Sequence, residues 1–233
     1  MSPLHRARIP GLVLAVALAL GAHPARGQVL YYGGDPDFVV GAFASWVNNA
    51  NNPFNQVAFD DFVVGPGQTW TVSELFGRVN EQSVSPPLST LFWEVRTGMV
   101  DGGSTGTVVA SGSGAPTRVG NEYTIAAAPF ALGAGTYWLT IYADLAAADP
   151  SLGPFFGPYG TVGVNAVNAP GDGTALWLVG ADASNVGGFT LGLPSDLAYG
   201  VRGLSVSAVP EPGAWALLAT GLLPLAVARR RRG

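Results

Sequence analysis

The side chains that could do chemistry in this 233-residue chain are mostly carboxylates and aromatic rings. The chain contains no Cys, its eleven basic residues are all Arg, and its two histidines, His5 and His23, lie near the N-terminus. Beyond residue 23 this excludes Ser–His and Cys–His nucleophilic pairs, a Cys/His zinc site and a Schiff-base lysine. Disulfide bonds are excluded as well, so an exported form depends on its hydrophobic core for stability.

Adjacent carboxylates at Asp60 and Asp61 form the sharpest acidic motif. Neighbouring residues on a strand point to opposite faces, so only one of the two can enter a given site directly. That residue would supply hard oxygen ligands for Ca²⁺ together with another aspartate, such as Asp35, Asp37, Asp144 or Asp149. Asp60 and Asp61 are therefore candidate calcium ligands. The other interpretation, which we adopt as the expectation, is that they are turn-capping and edge-strand carboxylates and that the protein has no cofactor.

Aromatic side chains offer a second kind of site. Exposed rings bind the apolar faces of sugars by burying area, although the same residues also fill the cores of β-sandwiches. Phe92 and Trp138 lie opposite the strand faces assigned to the core and are the candidate glycan-binding residues.

Catalysis in the interior of the chain would have to use carboxylates or tyrosines. A glycosidase needs two carboxyl groups roughly 5–10 Å apart in a cleft. The available glutamates are Glu74, Glu81, Glu94 and Glu122, and none of them belongs to a recognisable catalytic motif. We therefore expect no enzymatic activity.

The segments that contain these residues are predicted to be almost entirely β-strands. In the segment 91–96, Leu91, Trp93 and Val95 alternate with Phe92, Glu94 and Arg96. Further strands are predicted at residues 38–46, 56–64, 68–75, 107–111, 122–126, 136–142, 163–167, 175–179 and 197–207. Turns rich in Gly, Pro, Asn and Asp separate them, as at residues 65–67 and 133–135. This pattern predicts an all-β sandwich or barrel.

The N-terminus has the three parts of a secretory signal peptide. Arg6 and Arg8 precede an apolar run at residues 9–21, and Ala25-Arg26-Gly27 gives the small-x-small pattern that signal peptidase accepts. We expect a signal peptide at residues 1–27, with cleavage between Gly27 and Gln28. The alternative is an uncleaved membrane anchor.

The C-terminus also has three parts in order. Val209-Pro210-Glu211-Pro212 precedes an apolar helix candidate at residues 213–228, about 24 Å long at 1.5 Å per residue. A run of four arginines follows, Arg229, Arg230, Arg231 and Arg232. Arginines beside an apolar segment stop transfer and mark the cytoplasmic end. The main part of the chain is then expected outside the cytoplasm; the alternative is an ordinary single-pass anchor.

These three parts of the tail, residues 209–233, resemble the PEP-CTERM sorting signal. Such tails occur on exported proteins of Gram-negative bacteria that make the extracellular polysaccharide of biofilms. The resemblance implies recognition and processing by exosortase, a membrane transpeptidase. It also implies transient anchoring in the inner membrane and a final location in the cell envelope or outside the cell.

A second resemblance concerns residues 28–208. The Asp60-Asp61-Phe62 strand and the Gly135-Thr136-Tyr137-Trp138 strand are similar to those of β-sandwich domains in surface-sorted bacterial proteins. This resemblance implies a single jelly-roll-like antiparallel β-sandwich, a shape shared with carbohydrate-binding modules.

The charge of residues 28–208 limits the partners. This segment contains fourteen acidic residues and only four arginines, which gives it a net charge near −10. Nucleic acid is therefore not an expected partner. The leading hypothesis is a non-enzymatic exported surface or extracellular-matrix protein. The alternatives are a carbohydrate-binding module for extracellular polysaccharide, with or without structural calcium, and a carboxylate-dependent glycosidase.

Overall fold

The computed structural model describes residues 27–36, 38, 45–48, 55–82, 88–146, 155–161, 163–180, 185–190 and 196–207. These residues form thirteen β-strands and no helix. The strands are β1 Gln28–Tyr32, β2 Trp46–Val47, β3 Asn55–Val64, β4 Gln68–Gln82, β5 Leu91–Met99, β6 Thr105–Gly114, β7 Thr117–Val119, β8 Glu122–Leu132, β9 Gly135–Asp144, β10 Phe155–Pro158, β11 Thr174–Gly180, β12 Asn185–Thr190 and β13 Tyr199–Ser207. The expectation of an all-β fold is confirmed.

The strands form two sheets. The six-stranded sheet has the order β1-β13-β4-β8-β7, with β10 paired to the last residues of β4. The seven-stranded sheet has the order β12-β11-β3-β2-β9-β5-β6, and β3 also pairs directly with β9. Neighbouring strands in both sheets are antiparallel with one exception among the described pairs.

The exception corrects the expectation of a purely antiparallel sandwich. Strand β2 is parallel to β9, where Trp46 lies opposite Ala143. The other side of Trp46 pairs in antiparallel fashion with Gln56 of β3. Strands β3 and β9 are themselves antiparallel, so a strand inserted between them must be parallel to one of the two.

The hydrophobic core lies between the two sheets. In β5, Leu91, Trp93 and Val95 are buried in it while the intervening residues are less buried, which confirms the predicted face of this strand. At its centre Phe62 of the seven-stranded sheet stacks on Trp70 of the six-stranded sheet, with ring centroids 5.7 Å apart and an interplanar angle of 3°. This shared core is the arrangement of a β-sandwich.

A second, smaller hydrophobic cluster lies on the outer face of the seven-stranded sheet. Val57 and Phe59 of β3 pack there against Leu176 and Leu178 of β11 and against Met99. Alternate residues of β3 therefore pack in different hydrophobic clusters. Ala58 and Phe62 belong to the main core, and Val57 and Phe59 belong to the smaller cluster. This explains why β3 is buried on both faces.

The two ends of the sandwich differ in what they carry. At one end, which we call the near pole, Ser207 pairs with Gln68, the first residue of β4. Strand β1 begins beside Gly203, four residues before Ser207, and runs towards the other end. At that other end, the far pole, Arg78 of β4 pairs with Glu122 of β8. Arg78 lies ten positions after Gln68 in β4, about 33 Å along the strand at 3.3 Å per residue.

Most of the predicted strands are present, several with longer bounds. Of the strand predicted at residues 38–46, residues 39–44 lie outside the described residues, Phe38 has a positive φ angle of 61° and Trp46 belongs to β2. The strand predicted at residues 163–167 is wrong. Gly163 and Asn165 have positive φ angles of 78° and 59°, and Ala166 N–H donates to the Gly163 carbonyl, so this segment turns. Only Val167 joins a sheet, through an isolated bridge to Tyr32. Strands β1, β7, β10 and β12 were not predicted from the sequence.

Most of the expected sorting segments lie outside the described residues. These are residues 1–26 of the signal peptide, the motif Val209, Pro210, Glu211 and Pro212, the apolar segment 213–228 and the arginines Arg229, Arg230, Arg231 and Arg232. Gly27 and Gln28, the residues that flank the expected signal cleavage, are described, and Gln28 is the first residue of β1.

Candidate functional site

Phe92 and Trp138 lie on the outer face of the seven-stranded sheet, and both are partly buried. Phe92 stacks on Tyr142 with ring centroids 5.5 Å apart and an interplanar angle of 21°. Trp138 packs against the second hydrophobic cluster. Both rings therefore point away from the main core, as predicted, but each already has a packing partner within the sheet.

The two aspartates of the acidic motif are both buried, Asp60 fully and Asp61 to 8% exposure. Asp60 Oδ2 accepts hydrogen bonds from the Tyr31 hydroxyl and from Leu197 N–H, each at 2.7 Å. Asp196, beside Leu197, is also buried, and its Oδ2 accepts a hydrogen bond from Gly171 N–H at 3.1 Å. We call Asp60, Asp61 and Asp196 the buried acidic cluster.

Within the described residues, the charges that shift the pKa values of the buried acidic cluster are those of other carboxylates. In the part of the chain that is described, one oxygen of each carboxyl group is buried without a hydrogen-bond partner. Burial raises the pKa of Asp60 well above its usual value, and the charge of Asp196 raises it further. Burial also raises the pKa of Asp61 to about 7, with added repulsion from Asp172, and that of Asp196 to about 6. The protonated forms of these carboxyl groups are thus favoured.

The candidate partners for a calcium site are placed elsewhere. Asp35 binds Arg78, and Asp144 Oδ2 accepts a hydrogen bond from the Asn48 side chain at 3.2 Å. Across the described residues there is no group of three or more His, Asp or Glu side chains arranged to hold a metal ion. Asp37 and Asp149 lie outside the described residues. Strand β3 lies inside the seven-stranded sheet, so the expectation that Asp60 and Asp61 are edge-strand carboxylates is wrong.

An open cleft of about 590 Å³ lies at the far pole. The segment after β1, the end of β4 and the β7–β8 turn form its walls. The lining residues are Asp35, Pro36, Phe38, Arg78 and the segment 119–122. Sequence reasoning missed this site, because its residues come from three segments that only the sheet order brings together.

Arg78 is the centre of the polar wall of the cleft. Its guanidinium forms ion pairs with Asp35 and, at 3.5 Å, with Glu122. Glu122 also pairs with Arg202 at 2.8 Å. Burial alone would raise the pKa of Asp35, but hydrogen bonds from Asn165 and Tyr32 and the charge of Arg78 lower it below its usual value. Asp35 therefore stays ionised and acts as a fixed hydrogen-bond acceptor.

Aromatic rings and arginines support this wall from behind. The Arg78 guanidinium lies over the Tyr32 ring, 5.6 Å from its centroid, and the Tyr32 and Phe76 rings pack at 5.3 Å. Arg202 lies 3.8 Å above the Phe76 ring. The alternating stack fixes the two guanidinium groups and hence the carboxylates that pair with them.

The glutamates considered for catalysis are mostly paired. Glu94 binds Arg96 at 2.7 Å, and Glu122 and Glu74 share Arg202, with Glu74 at 3.8 Å. The side chain of Glu81 lies outside the described residues. Glycosidases need a carboxyl group with a raised pKa as general acid. Asp35, which shares the cleft with Glu122, has a lowered pKa instead.

No family model matches the chain, and no curated protein matches it significantly. Within the described ranges, no helix is long and apolar enough to cross a membrane.

Proposed function

We propose that this protein is a non-enzymatic exported surface or extracellular-matrix protein. Its β-sandwich, of jelly-roll-like form, is the delivered cargo, and its tail is a PEP-CTERM sorting signal processed by exosortase. Signal peptidase removes the N-terminal segment, and the tail holds the protein in the inner membrane until it is processed. The final location is the cell envelope or the extracellular polysaccharide matrix.

The observation that supports this proposal most is that the first and last strands of the sheets lie directly beside the two expected sorting segments in the chain. Strand β1 begins at Gln28, the residue after the expected signal cleavage. Strand β13 ends at Ser207, two residues before Val209 of the sorting motif. Removal of both segments would leave every described strand intact, as delivery of a folded cargo requires.

The position of the chain ends suits presentation at a surface. The tail follows Ser207, at the near pole, so the near pole faces the membrane while the tail is anchored. The far pole with its open cleft is then directed outwards, about 33 Å away along β4.

The distribution of carboxylates supports a non-enzymatic role. The carboxylates at the cleft form ion pairs with arginines, and those of Asp60, Asp61 and Asp196, which have raised pKa values, are buried. A general acid must combine a raised pKa with access to substrate. Asp60, Asp61 and Asp196 have the first property, but all three are buried, with at most 8% of the residue exposed.

The test is mass spectrometry of the protein recovered from cells with and without exosortase. We expect the mature form to begin at Gln28 and, in cells with active exosortase, to lack the arginine-terminated segment. A Glu211→Ala variant should retain the tail, and a Glu74→Ala variant, changed in the sheet, should be processed normally. An intact arginine-terminated end in cells with active exosortase would refute the proposal.

Binding of extracellular polysaccharide is the second candidate function, and the open far-pole cleft favours it. The residues chosen from sequence, Phe92 and Trp138, pack within the sheet. The cleft presents an exposed ring and fixed polar groups together.

A further inference from the structure

Phe38 gives the far-pole cleft an exposed aromatic ring. Its side chain is 64% exposed, although Tyr159 packs against it edge-to-face with ring centroids 5.1 Å apart. Its φ angle of 61° lies in the left-handed region, which is costly for a bulky residue. Strained backbone of this kind is concentrated at ligand-binding sites. The contact with Tyr159 holds the ring in place and leaves much of its surface open to solvent.

The other lining residues of the cleft combine apolar and polar groups. Val119, at the end of β7, is 81% exposed. Asp35, Arg78 and Glu122 provide planar acceptors and donors whose positions are fixed by their ion pairs. A ligand that presents an apolar face to Phe38 and hydroxyl groups to the carboxylates would satisfy both kinds of surface. The pyranose ring of a sugar has this combination of C–H faces and equatorial hydroxyls.

The charge of the cleft selects among saccharides. The Arg78 guanidinium is already neutralised by Asp35 and Glu122, so no unpaired cation of the lining remains for a uronate or sulfate group. The surrounding domain carries a net charge near −10 and repels polyanions. These charges disfavour acidic polymers and leave neutral ones unaffected.

We propose that the far-pole cleft, lined by Asp35, Phe38, Arg78, Val119 and Glu122, binds a neutral polysaccharide chain. Phe38 packs on the face of one sugar ring. The carboxylates of Asp35 and Glu122 accept hydrogen bonds from its hydroxyl groups, and Arg78 holds both carboxylates in place. The proposal deepens the second candidate function and is independent of tail processing.

The test is affinity electrophoresis of the mature protein in native gels that contain a neutral β-glucan, a galactomannan or, as the anionic probe, polygalacturonate. We expect at least one neutral polymer to retard the protein and polygalacturonate to have no effect. Phe38→Ala should weaken the retardation about tenfold, while Phe38→Tyr, which keeps the ring, should preserve it. Thermal unfolding of each variant checks that the fold is retained.

Matched controls locate the binding surface. Val108→Ala removes an exposed apolar side chain from β6, away from the cleft, and should leave the retardation unchanged. Phe92→Ala tests the outer face of the seven-stranded sheet. Retardation lost in Phe92→Ala but kept in Phe38→Ala would overturn the proposal, as would retardation by polygalacturonate alone or by none of the polymers. A failure here would leave the sorting proposal standing, since that is decided by mass spectrometry of the termini.

Discussion

The buried acidic cluster should make the protein less stable as the pH rises from 4 to 7. Folded Asp61 and Asp196 have pKa values raised to about 7 and about 6, whereas unfolded aspartates titrate near 3.9. Between these values the folded state binds more protons than the unfolded state, so the free energy of unfolding falls with pH. The stabilising contribution is complete below about pH 4 and is lost as the pH passes through 6 and 7.

The magnitude follows from the size of the shifts. One pKa unit corresponds to 1.36 kcal/mol, so the shift of Asp196 from 3.8 to about 6 represents at most about 3 kcal/mol, and that of Asp61 at most about 4 kcal/mol. The charge of Asp196 supplies part of the Asp61 shift, so the two contributions overlap, and we expect a total decrease of about 3 kcal/mol, well below their sum. For a domain of this size, this is a large fraction of the whole free energy of unfolding.

The assay is urea unfolding of residues 28–208, followed by tryptophan fluorescence at pH 4 to 8 and constant ionic strength. Asp61→Asn and Asp196→Asn should each flatten the dependence on pH, because an amide does not titrate. Asp101→Asn, a change at an exposed turn, is the control and should leave the slope as in the wild type. A free energy of unfolding that rises between pH 4 and 7, or a slope unaffected by both cluster variants, would refute the reasoning.

Three further predictions concern the sheets themselves and can be checked by the same unfolding measurement. Gly203→Ala should destabilise the protein by about 3 kcal/mol or prevent folding, because the added Cβ would lie 1.9 Å from a β4 carbonyl oxygen. The control Gly133→Ala, at a position with open space around it, should change the free energy of unfolding little. Phe62→Ala should cost about 3–5 kcal/mol, since this ring is fully buried and stacks against three other rings; a cost below about 1 kcal/mol would contradict the described core. Tyr31→Phe removes a buried donor to Asp60 and should cost about 1–3 kcal/mol, so a neutral effect would argue against that hydrogen bond.

The fold class and the inward faces of several strands could be predicted from local pattern. Alternation of apolar and polar residues marked β5, and its inward residues Leu91, Trp93 and Val95 are buried as predicted. Alternation fails where both faces are covered, so β3 did not show which of its residues face the main core. Strand β1 was missed because it is a five-residue strand directly after the expected cleavage site.

The candidate sites were less predictable than the strands. The opposite orientation of Asp60 and Asp61 follows from the strand itself. Their proximity to Asp196 does not, because 135 residues separate Asp61 from it and only the packing of the chain segments joins them. The far-pole cleft was missed for the same reason. Its aromatic residue, Phe38, has a left-handed backbone that the sequence does not indicate.

By itself, the sequence determined that there are no Cys, His or Lys side chains beyond residue 23 and that residues 28–208 carry a net negative charge, because both depend on composition alone. It also determined the all-β fold class, which depends on the local alternation of apolar and polar residues. Only the tertiary structure decided which carboxylates are buried and which are paired with arginine, because charge compensation depends on residues far apart in the chain. The same long-range pairing placed Asp35, Arg78 and Glu122 in one cleft, at the pole opposite Ser207.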